Sequence, residues 1–298
     1  MYYCFGLVGG NSDQFIGPHG ELDYITPAIL RDYQHIDIRS DSEIDEIANS
    51  YQFFSDYLKE QGIQYYYYQC WDKQSIYPEQ FPNSIIQYND ISKTEQKVNA
   101  LKEKTTVNVI SPKQALIDAK QQYDTYSTWG DPTHWTQRGA YIGYQELMKE
   151  INSHNNNRYN VLSEDDYIIE TSDQGYTIYG GIHKLCPLES FVIRQPKAHK
   201  TGVAPIYVSI FGQNHKDILQ NDTVDNEDTL LIIGDSYFDG FLYDDLAESF
   251  YKVVMVWGGN LINIKNLIEE YHPQIIIEEN AERCDRTSDM IQVTREDL

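Results

Sequence analysis

Two short stretches carry residues whose types and spacing could do chemistry together. In "LLIIGDSYF", residues 230–238, Ser236 stands just past an apolar run and at the mouth of a presumptive helix. A serine there can present its hydroxyl to a crevice as a nucleophile, while its own backbone N–H stabilises an oxyanion. In "WGDPTHWTQRGAY", residues 129–141, Asp131 precedes His134 by three positions, with Pro132 and Thr133 between them. A D-x-x-H spacing within a turn lets the carboxylate fold back onto Nδ1 of the imidazole. Nε2 is then free to take a hydroxyl proton. Pro132 stiffens that turn, and Trp135 can shield one side of the histidine from water.

Each stretch also has a plainer reading. Ser236 could simply cap a helix, with Asp235 complementing its dipole. Asp131 and His134 could be helix-capping residues ahead of Thr136 as N-cap. The pattern around the serine is not G-x-S-x-G, because Phe238 stands where the second glycine would be, which argues against an α/β-hydrolase elbow. The other seven histidines lie in polar or unpatterned contexts and read as surface residues. A metal site on Asp131 and His134 lacks a third clustered ligand, so no metal or other cofactor is expected.

The elements that must position these residues follow from periodicity. Residues 2–8 read as a short strand. Ile44, Ile47, Ala48, Tyr51, Phe54 and Leu58 recur at helical spacing up to Gly62. "IQYYYYQCW" reads as a buried strand, "KQSIYPEQFP" as a loop, residues 94–104 as a helix, and "VNVI" as a strand. "SPKQALIDAK" predicts a helix with Ser111 as N-cap and Pro112 at the first helical position. A helix follows His134, with Ala140, Tyr144, Leu147, Met148 and Ile151 on one face. Residues 152–228 are polar with short alternating runs, and read as a β-rich insertion or cap. From "TLLIIG" onward the helices "FDGFLYDDLAESF" and "LINIKNLIEEY" alternate with the strands "YKVVMVW" and "QIIIEE". Apolar strands alternating with helices predict an α/β fold, a parallel sheet covered on both faces. The expected organisation is one domain over residues 1–298.

Bulk properties narrow the function. The 298 residues carry 23 basic and 46 acidic side chains, a formal charge of −23, which disfavours nucleic acid and anionic lipid as partners. Apolar content of 41% suffices for a sizeable core, and the 25 tyrosines suit half-wet positions or flat polar ligands. The cysteines Cys4, Cys70, Cys186 and Cys284 are scattered and form no C-x-x-C pair; two disulfides are conceivable, but packed thiols are the simpler reading. The N-terminal stretch lacks the basic start and apolar length of a signal peptide, and no window is apolar enough to span a membrane.

The GDS turn together with D-x-x-H resembles the SGNH (GDSL-type) hydrolase superfamily, in which the serine usually comes first and the Asp/His pair last. Here the order is reversed. "HWTQRGAYIGYQELMKEI" ahead of "IIGDSYFDGFLYDDLAESF" resembles the permuted SGNH domains of alginate O-acetylation proteins, the AlgX/AlgJ-like and DHHW-like group. "DKQSIYPEQFP", "GGIHKL" and "HPQIIIEENAER" support the resemblance along most of the chain. It implies a three-layer α/β/α sheet, Ser236 as nucleophile, His134 as base and Asp131 as orienter. The permuted group usually spaces its pair D-x-H; here Pro132 takes that place and the carboxylate lies one residue earlier. Gly259 and Asn260 in "VWGGNL" match the loop from which such enzymes draw oxyanion donors, although Asn260 could equally cap a helix. Glu282 and Arg283 follow the last strand, where they would line the groove or pair with each other. Asp235, Trp135 and Arg283 complete the oxyanion or substrate-binding candidates.

The implied activity is O-acetyl transfer or acetyl-ester hydrolysis on a bacterial cell-surface polysaccharide or glycan through an acyl-serine. The implied partners are a glycan acceptor, an acetyl donor and a membrane-bound acetyltransferase; the implied location is extracytoplasmic. A module that binds glycan through its tyrosines and acts as a scaffold without catalysis is the competing reading.

Overall fold

The computed structural model describes residues 13–177, 181–204, 217–257 and 261–296. The expected strand at 2–8 and the loop pair Gly259 and Asn260 lie outside these residues. In chain order, a small ribbon of β1 (Gln14–Ile16) and β2 (Leu22–Tyr24) leads into α1 (Pro27–Tyr33) and α2 (Asp41–Glu60). Ser40 and Glu43 cap α2 reciprocally, and its apolar face buries Ile47, Tyr51, Phe54 and Leu58. Gly62, at φ +77°, supplies the left-handed residue that turns the chain after it. Next come β3 (Gln64–Cys70), α3 (Lys73–Ile76), α4 (Lys93–Lys104), β4 (Asn108–Ile110), α5 (Lys113–Ala119) and α6 (Gln137–His154).

Two local expectations fail here. The stretch expected as the loop "KQSIYPEQFP" contains α3 and a 3-10 turn at Pro78–Gln80. Ser111 does not cap α5. Pro112 occupies the cap position with no side-chain bond, and the Ser111 hydroxyl instead accepts from Trp71 Nε1 at 2.9 Å. Packing against the indole has displaced the local cap.

The β-rich stretch divides its strands between two places. β5 (Tyr167–Thr177) and β6 (His183–Ile193) form a separate antiparallel ribbon of eleven residues a side. β7 (His199–Val203) and β8 (Asp217–Gln220) instead extend the main sheet. The chain then alternates through β9 (Thr229–Gly234), α7 (Ser236–Asp239), α8 (Tyr243–Ala247), β10 (Lys252–Trp257), α9 (Ile264–Tyr271), β11 (Ile275–Ala281) and α10 (Thr287–Glu296). The helix expected over 238–250 is therefore two short helices, the first of which begins at Ser236.

The main sheet runs β4-β3-β11-β9-β10-β8-β7. Its first five strands are parallel; β8 runs antiparallel to both of its neighbours, β10 and β7, so the sheet is mostly rather than wholly parallel. β9 and β11 are buried at every position near its centre; β9 accordingly reads as an apolar run, while β11 follows its three isoleucines with buried Glu278, Glu279 and Asn280. Helices flank the sheet. The carboxyl ends of β3, β9 and β11 converge on one edge, where ligands bind in open α/β sheets. No helix among the described residues is long and apolar enough to cross a membrane.

Candidate active site

Ser236 stands two residues beyond the end of β9 and is the first residue of α7. Asp235 is the N-cap: one of its oxygens accepts from Tyr237 N at 3.1 Å. Its other oxygen accepts from Arg286 Nη2 at 2.9 Å, and its backbone N–H donates to Glu279 Oε2 at 2.6 Å. Asp235 is buried within this network and shapes the turn that carries Ser236. Burial, followed by the charge of Asp235, holds the Glu279 carboxyl well above its usual range.

The other half of the site sits on a closed loop. Thr136 N–H donates to Thr125 O at 2.9 Å, and the Thr136 hydroxyl donates to Asp124 O at 2.6 Å. A bridge between Tyr126 and Trp135 narrows the neck further. Thr136 also caps α6 by accepting from Gly139 N. Between these anchors, Asp131 Oδ1 accepts from Thr133 N at 2.8 Å and from the Thr133 hydroxyl at 2.5 Å. This side-chain turn leaves Oδ2 facing His134 Nδ1 at 2.7 Å, and His134 Nε2 lies 2.7 Å from Ser236 Oγ. Residues 131, 134 and 236 are thus brought together in one line of hydrogen bonds.

Electrostatics fix the proton positions. Burial opposes ionisation of Asp131, but the hydrogen bond and charge of His134, with the bonds from Thr133, outweigh it and hold the carboxyl below its usual range. An ionised Asp131 accepts from Nδ1–H, which assigns the proton to that nitrogen and leaves the Nε2 lone pair for the serine hydroxyl. The imidazole packs edge-on to Tyr237 at 5.1 Å and near Phe241 at 6.1 Å. Trp135 is buried, edge-on to Tyr237 at 5.2 Å, and borders the adjoining cavity.

Arg283 reaches this centre from the end of β11. Its Nη2 is 3.4 Å from His134 Nε2; its Nη1 bonds Asp72 Oδ1 and donates to Thr133 O at 3.0 Å. Glu282 and Arg283 do not pair with each other. Glu282 accepts from Asp72 N at 2.9 Å and from the Ser75 hydroxyl at 2.8 Å, while Arg283 pairs with Asp72. Both residues thus converge on Asp72, Glu282 at its backbone N–H and Arg283 at its carboxylate. Burial and then the Asp72 charge push the Glu282 carboxyl up to about 8.

Sequence reasoning missed Asp72, Thr133 and Tyr237. The Tyr237 hydroxyl lies 2.8 Å from Thr133 O and 3.0 Å from Asp72 Oδ1, tying β3, the histidine loop and α7 together. A signal for Asp72 was present: it follows the strand "YYYYQCW" at the same sheet edge. A cavity of about 210 Å³ opens beside Asp131 and His134, lined by Gly130, His134 and Phe241 and by Gln174, Leu188 and Glu189 of the β5–β6 ribbon. Gln137 and Phe241 also border a second cavity of about 340 Å³, which Tyr141 and Phe191 line. Cys70, Cys186 and Cys284 are free thiols.

Residues 31–282 match the model of the SGNH hydrolase-like domain, acetyltransferase AlgX. The chain belongs to this family. No curated protein matches the sequence. Among solved structures, this AlgX-type domain is similar to Bacillus cereus PatB1 with a sulfonyl adduct, at 19% identity and a TM-score of 0.65, covering 95% of this chain and 98% of that one. It is also similar to a DHHW family protein from Eubacterium siraeum, at 14% identity and a TM-score of 0.61, covering 95% and 96%. The O-acetyltransferase domain of Pseudomonas putida AlgJ matches at 14% identity and a TM-score of 0.53, covering 96% and 99%. At these identities the likeness is one of fold.

Proposed function

We propose that this AlgX-type domain is a serine-dependent O-acetyltransferase or acetylesterase acting on a bacterial cell-surface polysaccharide or glycan, with Ser236 as nucleophile, His134 as base and Asp131 as orienter. The observation that carries the reading is the unbroken line Asp131–His134–Ser236, with 2.7 Å at each junction. As Ser236 Oγ attacks the acetyl carbonyl, its proton passes to Nε2. The donor C–O bond breaks, and the leaving oxygen takes that proton. The acceptor hydroxyl then gives its proton to Nε2 and attacks the acyl-serine, and Oγ leaves with the proton returned by the imidazole. Water in place of the acceptor gives hydrolysis by the same steps.

The Ser236 backbone N–H serves as one oxyanion donor in this scheme, and Gly259 with Asn260 supplies the others. The cavity beside His134 and the neighbouring one that shares Gln137 and Phe241 with it provide room for an acceptor, and their aromatic rings offer apolar faces to a sugar. Acetyl groups reach the domain from a membrane-bound acetyltransferase, at an extracytoplasmic site. The family match and the fold shared with an O-acetyltransferase domain support the transfer chemistry.

The test is turnover of a chromogenic acetyl ester with and without an oligosaccharide acceptor, acetylated sugar being read by mass spectrometry. The wild type should turn over and Ser236→Ala should lose at least about a hundredfold while keeping its thermal midpoint. Equal turnover by Ser236→Ala would remove the nucleophile and leave the glycan-binding scaffold reading in its place.

A further inference from the structure

Arg283 offers His134 Nε2 a second hydrogen-bond donor, and the proposed chemistry gives that donor a task. The lone pair of Nε2 faces Ser236 Oγ at 2.7 Å and Arg283 Nη2 at 3.4 Å. In the free protein the shorter serine contact is the stronger of the two. Once Oγ carries an acetyl group it has no proton to donate, and that contact is lost. The imidazole is then held on its Nδ1 side by Asp131 and the Thr133 hydroxyl, but no longer by the serine on its Nε2 side.

The guanidinium is well placed to take over. Its Nη1 end is fixed by buried Asp72, by Thr133 O at 3.0 Å and by the Tyr237 hydroxyl at 3.3 Å, and its plane lies over the Tyr237 ring, 5.0 Å from the centroid. These contacts leave Nη2 pointing at the base without needing Nη2 for the fold. A lysine could meet Asp72 but could not reach Nε2 at the same time, because only a planar fork offers two donors at fixed separation.

Resting on the triad reading above, we infer that Arg283 is a positioning residue for the second half-reaction: it holds the His134 imidazole in place while Ser236 is acylated, until the acceptor hydroxyl arrives. The bond order is unchanged from the scheme above. The acceptor O–H displaces the Nη2 contact, its proton moves to Nε2, the acceptor C–O bond forms and the C–Oγ bond breaks.

The experiment separates the two half-reactions. The full chain is mixed rapidly with p-nitrophenyl acetate. The burst of nitrophenolate reports acylation, and decay of the preformed acetyl-enzyme, followed by intact mass, reports deacylation. Arg283→Lys keeps a cation for Asp72, and Arg283→Gln is the second variant should the first lower the thermal midpoint. Either should acylate within about threefold of wild type but lose its acetyl group roughly tenfold more slowly, so that acetyl-enzyme accumulates. Equal losses in both steps would mean that Arg283 merely supports the fold, and unchanged deacylation would remove its role; both overturn the inference while leaving the triad intact. Absence of any acetyl-enzyme in the wild type would instead overturn the triad reading, and this inference with it.

Discussion

At the scale of single residues, the division of labour within Asp131 is what the site depends on. One oxygen builds the turn through Thr133 and the other meets His134, so a single carboxylate both shapes the loop and orients the imidazole. Asn at this position would keep the turn acceptor but present an amide to Nδ1, favouring the wrong tautomer. Asp131→Asn should lower kcat by about 10²–10⁴ with little change in thermal midpoint, as measured by ester turnover and calorimetry. The sign of the pH effect follows from the lowered carboxyl. Asp131 is ionised throughout the neutral and mildly acidic range, so it contributes no limb to the activity profile above about pH 4. Its contribution to stability is present above its unfolded value and is lost only as pH falls through the lower folded one. The three residue types were legible in the sequence because each belongs to a local pattern. The strand before Asp72 placed it at the sheet edge, but its meeting with Tyr237 was not legible, since the two lie 165 positions apart in the chain.

At the scale of elements, the start of α6 and the neck of the histidine loop are packed as one unit. A Cβ on Gly139 would fall 2.3 Å from the Thr125 carbonyl oxygen, which the Thr136 N–H holds in place. Gly139→Ala should therefore destabilise the protein by about 1–3 kcal/mol, read as a lower thermal midpoint, and should depress ester turnover because the loop must shift to make room. The long elements were readable from periodicity: α2 from its spaced apolar residues, β3 and β9 from continuous apolar or aromatic runs. The short ones were not. β1 and β2 have three residues each, α3 has four, and their conformations follow from tertiary neighbours such as the pairing of Lys73 with Asp23. β7 and β8 look like the ribbon strands in sequence, and only their partner in space places them on the main sheet.

At the scale of the whole molecule, the fold gathers carboxyls at one sheet edge, and this has a cost that depends on pH. Glu282 is held up to about 8 against an ordinary 4.5, so the native state keeps a proton that the unfolded chain releases. Stability from this group is full below about 4.5 and declines as pH rises toward 8. Glu282→Gln, whose amide can still accept from Asp72 N, should flatten the fall in denaturant stability between those limits by at least about 1 kcal/mol. An unchanged slope would place the raised proton elsewhere. The same topology brings His134 and Ser236, 102 residues apart, into hydrogen-bond contact, and the proposed activity depends on that meeting. Labelling with a sulfonyl fluoride, located by intact mass and peptide mapping, tests it most directly. One adduct is expected on Ser236 in the wild type, none in Ser236→Ala, and labelling slowed at least about a hundredfold in His134→Ala. A wild-type protein that takes no label, or takes it on another residue, or labels equally fast without His134, would contradict it.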